Sequence, residues 1–141
     1  MGLDEKLCPK NLEKKITSKT KAIVPTQLNG RIADMSEILA IAEEYGLQIY
    51  EDSAQALGAK YKNQKVGNCK WSDITIFSFH PVKIITAFEG GAATTNNKLI
   101  HEKLKLFLNH GITKDKKKFK YNKNKIWYYE QHLLGLNYRM T

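Results

Sequence analysis

The sequence predicts an α/β fold with a mainly parallel sheet flanked by helices. Three observations carry this. An apolar run, an amphipathic helical stretch and a second apolar run follow one another between residues 21 and 50. That strand–helix–strand order is the pattern of a βαβ unit with parallel strands. A third run, DITIFSF at 73–79, is β-branched and aromatic and reads as a buried strand.

The elements follow in order. Lys21–Pro25 (KAIVP) is the first short strand. Asp34 precedes MSEILAIAEEYG, where Ile38, Leu39, Ile41, Ala42 and Tyr45 fall at helical spacing; Asp34 is the expected N-cap and Gly46 the expected stop. Leu47–Tyr50 (LQIY) is the second strand and ends at Glu51 and Asp52. Ala54–Leu57 is expected to form a short helical turn, and Tyr61–Val66 a small polar hairpin with Asn63-Gln64 in its middle. Asp73–Phe79 is the third strand and Gly91–Thr95 the fourth, entered through Gly90 and Gly91. Lys98–Asn109 is an amphipathic helix expected to turn Leu99, Leu104, Phe107 and Leu108 inward. The chain stops on Arg139, Met140 and Thr141 directly after an aromatic stretch. A finished domain usually closes on a polar or docked end, so the sequence reads as cut from something longer.

Its 141 residues, 42% of them hydrophobic, suffice for one modest core. The net charge of +9 points to an anionic partner or to a generally lysine-rich composition. The densest basic run, Lys114–Lys125, comes with neither a basic helix face nor an aromatic-interleaved nucleic-acid motif, so it reads as a solvated loop rather than a nucleic-acid surface. Cys8 and Cys69 stand far apart, without metal-ligand spacing or a disulfide framework. No apolar run reaches membrane-spanning length, and the first ten residues lack the apolar core of a secretion signal. Lys6 occupies the position where N-myristoylation wants Ser or Thr. The expected setting is cytoplasmic, with no membrane and no nucleic acid as partner.

Chemistry-bearing residues gather at the predicted carboxyl ends of strands, where open α/β sheets bind ligands. Asp52 ends one strand and Gln55 follows it. Ser78 ends another, with Lys83 five residues on. The glycine pair Gly90-Gly91 would let backbone approach a ligand closely. A lysine amine condenses with an aldehyde, and desolvation would favour its nucleophilic form. An aspartate can keep a pyridine nitrogen protonated, and a serine can donate to a phosphate. These are the parts of a pyridoxal-phosphate site. Each also has a plain structural reading: a turn carboxylate, a strand hydroxyl, a surface amide, a solvated lysine.

The stretches EDSAQALGAKY (51–61), GNCKWSDITIFSFHPVKIITAFEGGAATTN (67–96) and LGLNYRMT (134–141) resemble the DegT/DnrJ/StrS family of sugar aminotransferases. FSFHPVK, EGGAATTN and the later WYYE look most like the branch that aminates a UDP-linked 4-keto-6-deoxy-N-acetylhexosamine in pseudaminic acid biosynthesis. The resemblance implies a partial aspartate-aminotransferase-like large domain. The chain would be its central part, with the amino-terminal part and the small carboxyl-terminal domain absent. It implies pyridoxal 5′-phosphate as cofactor, held covalently by Lys83, which also moves the proton. Asp52 would pair with the pyridine nitrogen, Gln55 would sit near the phenolic oxygen and Ser78 would contact the phosphate. Asn137 would reach the phosphate in a neighbouring subunit of a homodimer. The resemblance assigns His80 no role. Dehydrating members carry histidine where Lys83 stands, so the lysine implies amino transfer, with L-glutamate as donor and a UDP-linked keto sugar as acceptor. The positive charge would help attract that anionic sugar.

Three positions depart from the family pattern: Phe88 stands where a small residue is usual, Ala87 where threonine is common, and Leu108 where arginine is common. The contrasting reading is a truncated remnant that keeps the motif and binds no cofactor.

Overall fold

A computed structural model describes residues 6–121 and 125–140. The chain divides after Asn96 into two compact units, and each is described by itself.

In the first unit, helix α1 (Pro9–Glu13) opens on a proline at its first turn, where a missing N–H costs nothing. Strand β1 (Ala22–Ile23) leads to helix α2 (Met35–Tyr45) and strand β2 (Gln48–Asp52). After a β3–β4 hairpin (Lys60–Tyr61, Gln64–Lys65) come β5 (Ile74–Ser78) and β6 (Gly91–Thr94). The sheet order is β1-β2-β5-β6. The pairs β1·β2 and β2·β5 are parallel, as the sequence predicts, whereas β6 runs antiparallel on β5. The core is Ile23, Ala33, Met35, Ile38, Ala42 and Ile49, with Leu39, Leu47, Tyr61 and Trp71 packed on it. The helical spacing of α2 therefore serves to cover β1 and β2.

Gly46 ends α2 as expected. It takes the left-handed conformation (φ 62°), and Leu47 N–H reaches back to the Ala42 carbonyl at 2.8 Å, satisfying a terminal acceptor. Asp34 does stand at the N-cap position, but its carboxylate does not close a side-chain cap. It accepts instead from the Tyr61 hydroxyl and from Ser36 Oγ (3.1 Å), which fastens the hairpin to the start of the helix. The Tyr61 bond is the main reason that the Asp34 pKa lies below its ordinary value. The hairpin turns through Lys62 and Asn63, one residue earlier than the expected Asn63-Gln64, because both take positive φ (46° and 60°), the two-residue geometry whose twist matches paired strands, and Gln64 pairs with Tyr61.

The expected helical turn at Ala54–Leu57 is two successive reverse turns instead. Asp52 Oδ1 takes the Ala54 N–H (3.1 Å), and Ala56 and Ala59 N–H bond to the Ser53 and Ala56 carbonyls. The Asp52 bond is of the kind that caps a helix, but the two bonds beyond it both span three residues and close turns. The third strand is also less enclosed than its apolar run suggests. Thr75 and Phe77 are buried, but Ile76 is 46% exposed, so one face is open among the described residues.

The glycine pair has a packing role. A Cβ on Gly91 would lie 2.6 Å from the Phe77 carbonyl oxygen, so this residue lets β6 close against β5. The ligand approach expected of it is replaced by a strand contact.

In the second unit, Asn97 caps helix α3 (Lys98–Leu108) by accepting from Leu99 and Ile100 N–H (2.9 and 3.2 Å). Of the four residues expected to face inward, Leu99, Phe107 and Leu108 are exposed (75%, 45% and 42%) and Leu104 is half-buried. The amphipathic stripe exists, but the described residues do not cover it. A two-stranded sheet follows, β7 (Ile112–Thr113) on β8 (Glu130–Gln131), antiparallel. Gly111 admits no side chain: a Cβ there would lie 1.8 Å from the Leu133 carbonyl oxygen. The lysine run is exposed where it is described, with Asp115 capping a 3-10 turn at Lys116–Lys118; its residues 122–124 lie outside the described residues, as do residues 1–5 and 141. Among the described residues no helix is long and apolar enough to cross a membrane.

Candidate functional site

Side chains alternate across a strand, so register decides which residues share a face. Asp52 on β2 lies opposite Ile76 on β5. Ser78 is two residues beyond Ile76. Asp52, Ile76 and Ser78 therefore share the open face, at the carboxyl ends of two adjacent parallel strands. The opposite face holds the buried Glu51, Thr75 and Phe77.

Asp52 is half-buried and anchored in several ways. Its backbone carbonyl accepts from Gln27 N–H (2.9 Å) and its own N–H donates to the Pro25 carbonyl (3.0 Å). Its carboxylate accepts from Ala54 N–H, and Thr26 Oγ1 stands 3.5 Å from Oδ2. Ser53, the next residue, is 1% exposed and its hydroxyl has no hydrogen-bond partner among the described residues. Gln55 sits in the turn beyond, exposed, with Oε1 accepting the Asn29 N–H at 2.7 Å.

Below this face is a buried polar cluster. Glu51 accepts from Gln27 Nε2 (2.9 Å) and from Thr75 Oγ1 (2.9 Å), with Ser72 Oγ at 3.4 Å. Gln27 Oε1 in turn accepts the Ala33 N–H at 2.7 Å. A buried carboxylate persists because it is fully solvated by donors. Thr26, Gln27 and Asn29 are contacts that sequence reasoning missed. The legible signal was the Asn29-Gly30 pair after Pro25, a turn-forming dipeptide that sets backbone at positive φ.

Lys83 lies in the excursion from Phe79 to Gly90 that joins β5 to β6. Its neck is closed by Phe79 N–H on the Gly90 carbonyl and Ala87 N–H on the Phe79 carbonyl, both 2.9 Å, and by Thr86 Oγ1 on the same Phe79 oxygen (3.1 Å). Lys83 N–H closes a turn on the His80 carbonyl, and Ser78 Oγ accepts from His80 N–H at 3.4 Å. The polarity of this loop is inverted. Val82 and Ile84 are 79% and 63% exposed, while Lys83 between them is half-buried. His80 pairs loosely with Glu89 at 3.9 Å, both exposed.

The structure thus brings Asp52, Gln55, Ser78 and Lys83 to one end of two neighbouring strands. A carboxylate, an amide, a hydroxyl and an amine on residues at one sheet end suit a phosphorylated pyridine aldehyde; the orphaned hydroxyl of Ser53 lies on the buried side, away from them. Asn137 belongs to the second unit, where it bridges to Asn109 and its Oδ1 accepts from Arg139 N–H (3.3 Å).

The model of the DegT/DnrJ/EryC1/StrS aminotransferase family matches residues 4–141. An uncharacterized protein of Methanocaldococcus jannaschii is 46% identical over 130 residues, 92% of this chain and 33% of that protein. The UDP-4-amino-4,6-dideoxy-N-acetyl-beta-L-altrosamine transaminase of Campylobacter jejuni is 40% identical over 140 residues, 99% of this chain and 34% of that enzyme. Among solved structures, Helicobacter pylori PseC, an aminotransferase of pseudoaminic acid biosynthesis, superposes with a TM-score of 0.83 at 35% identity, covering 95% of this chain and 33% of that one. The chain spans about a third of the length of the curated relatives it matches.

Proposed function

Because the chain belongs to the DegT/DnrJ/EryC1/StrS aminotransferase family, we propose that it carries the cofactor-binding centre of a pyridoxal-phosphate-dependent aminotransferase acting on a nucleotide-linked keto sugar. The acceptor in this reading is a UDP-linked 4-keto-6-deoxy sugar and the donor L-glutamate. Support for the sugar comes from a relative named for a UDP-linked 4-amino-4,6-dideoxy sugar and from a solved aminotransferase of pseudoaminic acid biosynthesis. It is the central part of the large domain, and the complete enzyme works as a homodimer in which Asn137 reaches the neighbouring subunit's cofactor phosphate.

The observation that carries the reading is the inverted loop: Lys83 is half-buried while Val82 and Ile84 on either side of it are exposed. A lysine serving only solubility has no need to cover its stem while its aliphatic neighbours stay in water. Bound pyridoxal phosphate supplies an electron sink for a carbanion next to nitrogen. The chain's residues do the rest. Lys83 is the residue that would hold the cofactor's aldehyde, and its amine would accept and return a proton. Asp52, fixed by Gln27 and Ala54, keeps a proton on the pyridine nitrogen. Ser78, at the end of β5, donates to the phosphate. Gln55 addresses the phenolic oxygen.

Borohydride reduction of the chain mixed with pyridoxal phosphate, followed by peptide mapping, tests this. The expected result is a pyridoxyl label on Lys83 that vanishes in Lys83→Ala. Label scattered over surface lysines, or the same adduct in Lys83→Ala, identifies instead a chain that keeps the motif without the site.

A further inference from the structure

Resting on that reading, we infer that Asn29 is a positioning residue: its backbone N–H fixes the amide of Gln55 so that the nitrogen end, not the oxygen, faces the bound ligand. A terminal amide can present either a donor or an acceptor, and rotation by half a turn exchanges them. A backbone N–H can only donate. The atom of Gln55 that meets Asn29 N–H at 2.7 Å is therefore the oxygen, and Nε2 is directed away from it. The anionic oxygen of a phenol needs a donor, so this orientation suits it and the reverse repels it.

The Asn29 N–H is itself held firmly. Asn29 lies in the left-handed region (φ 53°), where asparagine and glycine are tolerated and β-branched residues are not. The loop around it is locked by Gln27, fully buried, through five contacts. Its N–H bonds to the Asp52 carbonyl (2.9 Å), its carbonyl accepts from Gly30 N–H (3.2 Å), and its Oε1 accepts from Ala33 N–H. Its Nε2 bonds to Glu51 Oε1 and approaches Met35 Sδ at 3.2 Å. Gly30 leaves little room beside Gln55, since a Cβ there would stand 3.3 Å from the Gln55 carbonyl oxygen. The same loop touches Asp52 through Thr26. One short segment thus contacts both side chains proposed to address the ring.

Two measurements test the inference. In the ligand-free chain, Asn29 N–H is expected to be protected from hydrogen exchange and to lose that protection in Gln55→Leu; an unprotected Asn29 in the unsubstituted chain overturns it. With pyridoxal phosphate, Asn29→Val is expected to weaken binding about tenfold. It is also expected to raise the pH at which the visible band of the Lys83 adduct changes, because a phenolic oxygen without its donor is more basic. Asn29→Gly, which keeps both the N–H and the left-handed backbone, is expected to restore both values. A merely structural loop would change thermal stability and leave the pH midpoint in place. Gln55→Glu provides a check that leaves the loop intact: it still accepts from Asn29 but offers an oxygen outward, and should bind as poorly as Gln55→Leu. A Gln55→Glu chain that binds like the unsubstituted one overturns the inference. So does an Asn29→Val chain that folds and keeps both affinity and pH midpoint. No Lys83 label in the unsubstituted chain overturns the proposed function, and the inference with it; a Lys83 label indifferent to Asn29 overturns the inference alone.

Discussion

Glu130 is 6% exposed and accepts from Lys120 N–H (2.7 Å), Tyr121 N–H (3.0 Å) and the Tyr128 hydroxyl (3.1 Å), with His132 Nε2 at 3.0 Å. Burial alone would raise its pKa. The Lys120 N–H, His132, the Tyr121 N–H and the Tyr128 hydroxyl outweigh burial and hold it at about 2, from an ordinary 4.5. A carboxyl depressed by folding stabilises the folded state fully above its ordinary pKa, and the contribution disappears as pH falls towards the folded value. Acid titration followed by Trp127 fluorescence should therefore show stability lost between about pH 4.5 and 2. Glu130→Gln should be less stable at neutral pH, converge with the parent near pH 2 and lack that slope; parallel curves would refute the assignment. At this scale the sequence was legible in part. Asp52, Gln55, Ser78 and Lys83 stood out because each is a reactive type beside a strand end, and the fold brings those strand ends together. Gln27, Glu51 and Glu130 did not stand out. Their importance comes from burial and partner count, which depend on long-range contacts such as the Gln27–Glu51 bond, and no local pattern encodes those.

Among the elements, β6 shows how two departures from expectation share one cause. The strand runs antiparallel, so the chain must return along β5, and it does so through the loop that carries Lys83. That return requires close backbone approach at Gly91. Gly91→Ala should cost about 1–3 kcal/mol in urea unfolding, the range for overpacking against backbone that cannot yield; a neutral substitution would show that β6 is looser than its register implies. The same loop holds Phe88 at φ 62°, 85% exposed. A side chain in that region costs roughly 1–2 kcal/mol, and exposure offers Phe88 nothing to offset it. Phe88→Gly is thus expected to raise the melting temperature, against the usual effect of adding glycine; a lower one would mean that the ring finds cover. The small residue usual at this place in the family has a backbone reason here. Helix α2 and the hairpin were readable because their signals are local: apolar spacing, Gly46, and a two-residue polar turn. The segment after Asp52 was misread because cap-like bonding by an aspartate precedes a reverse turn as readily as a helix, and here the chain closes two turns.

For the molecule as a whole, α/β class and parallel pairing followed from element order alone. What sequence could not convey is which apolar faces the chain covers. The stripe of α3 and the open side of β5 look in sequence like any core-facing surface, yet Leu99 and Ile76 are exposed, as are Trp127, Leu134 and Tyr138. Apolar surface of this extent should bind the dye ANS under native conditions with cooperative unfolding retained. Charge substitutions at Leu99 and Phe107 should reduce that signal without lowering the melting temperature; an ANS-silent chain would contradict the exposure. The closed neck of the Phe79–Gly90 excursion has one more consequence. Lys and Arg together number 23 in this chain, and every lysine among them competes for an aldehyde in solution. Most do so as freely diffusing ends. The backbone that carries Lys83 is held at both ends of the loop, so on the proposed reading its advantage is one of effective concentration rather than of intrinsic reactivity. Selectivity for one lysine over the rest would then reside in the bonds that close the loop, and loosening them at Thr86 is expected to spread the label over the other lysines.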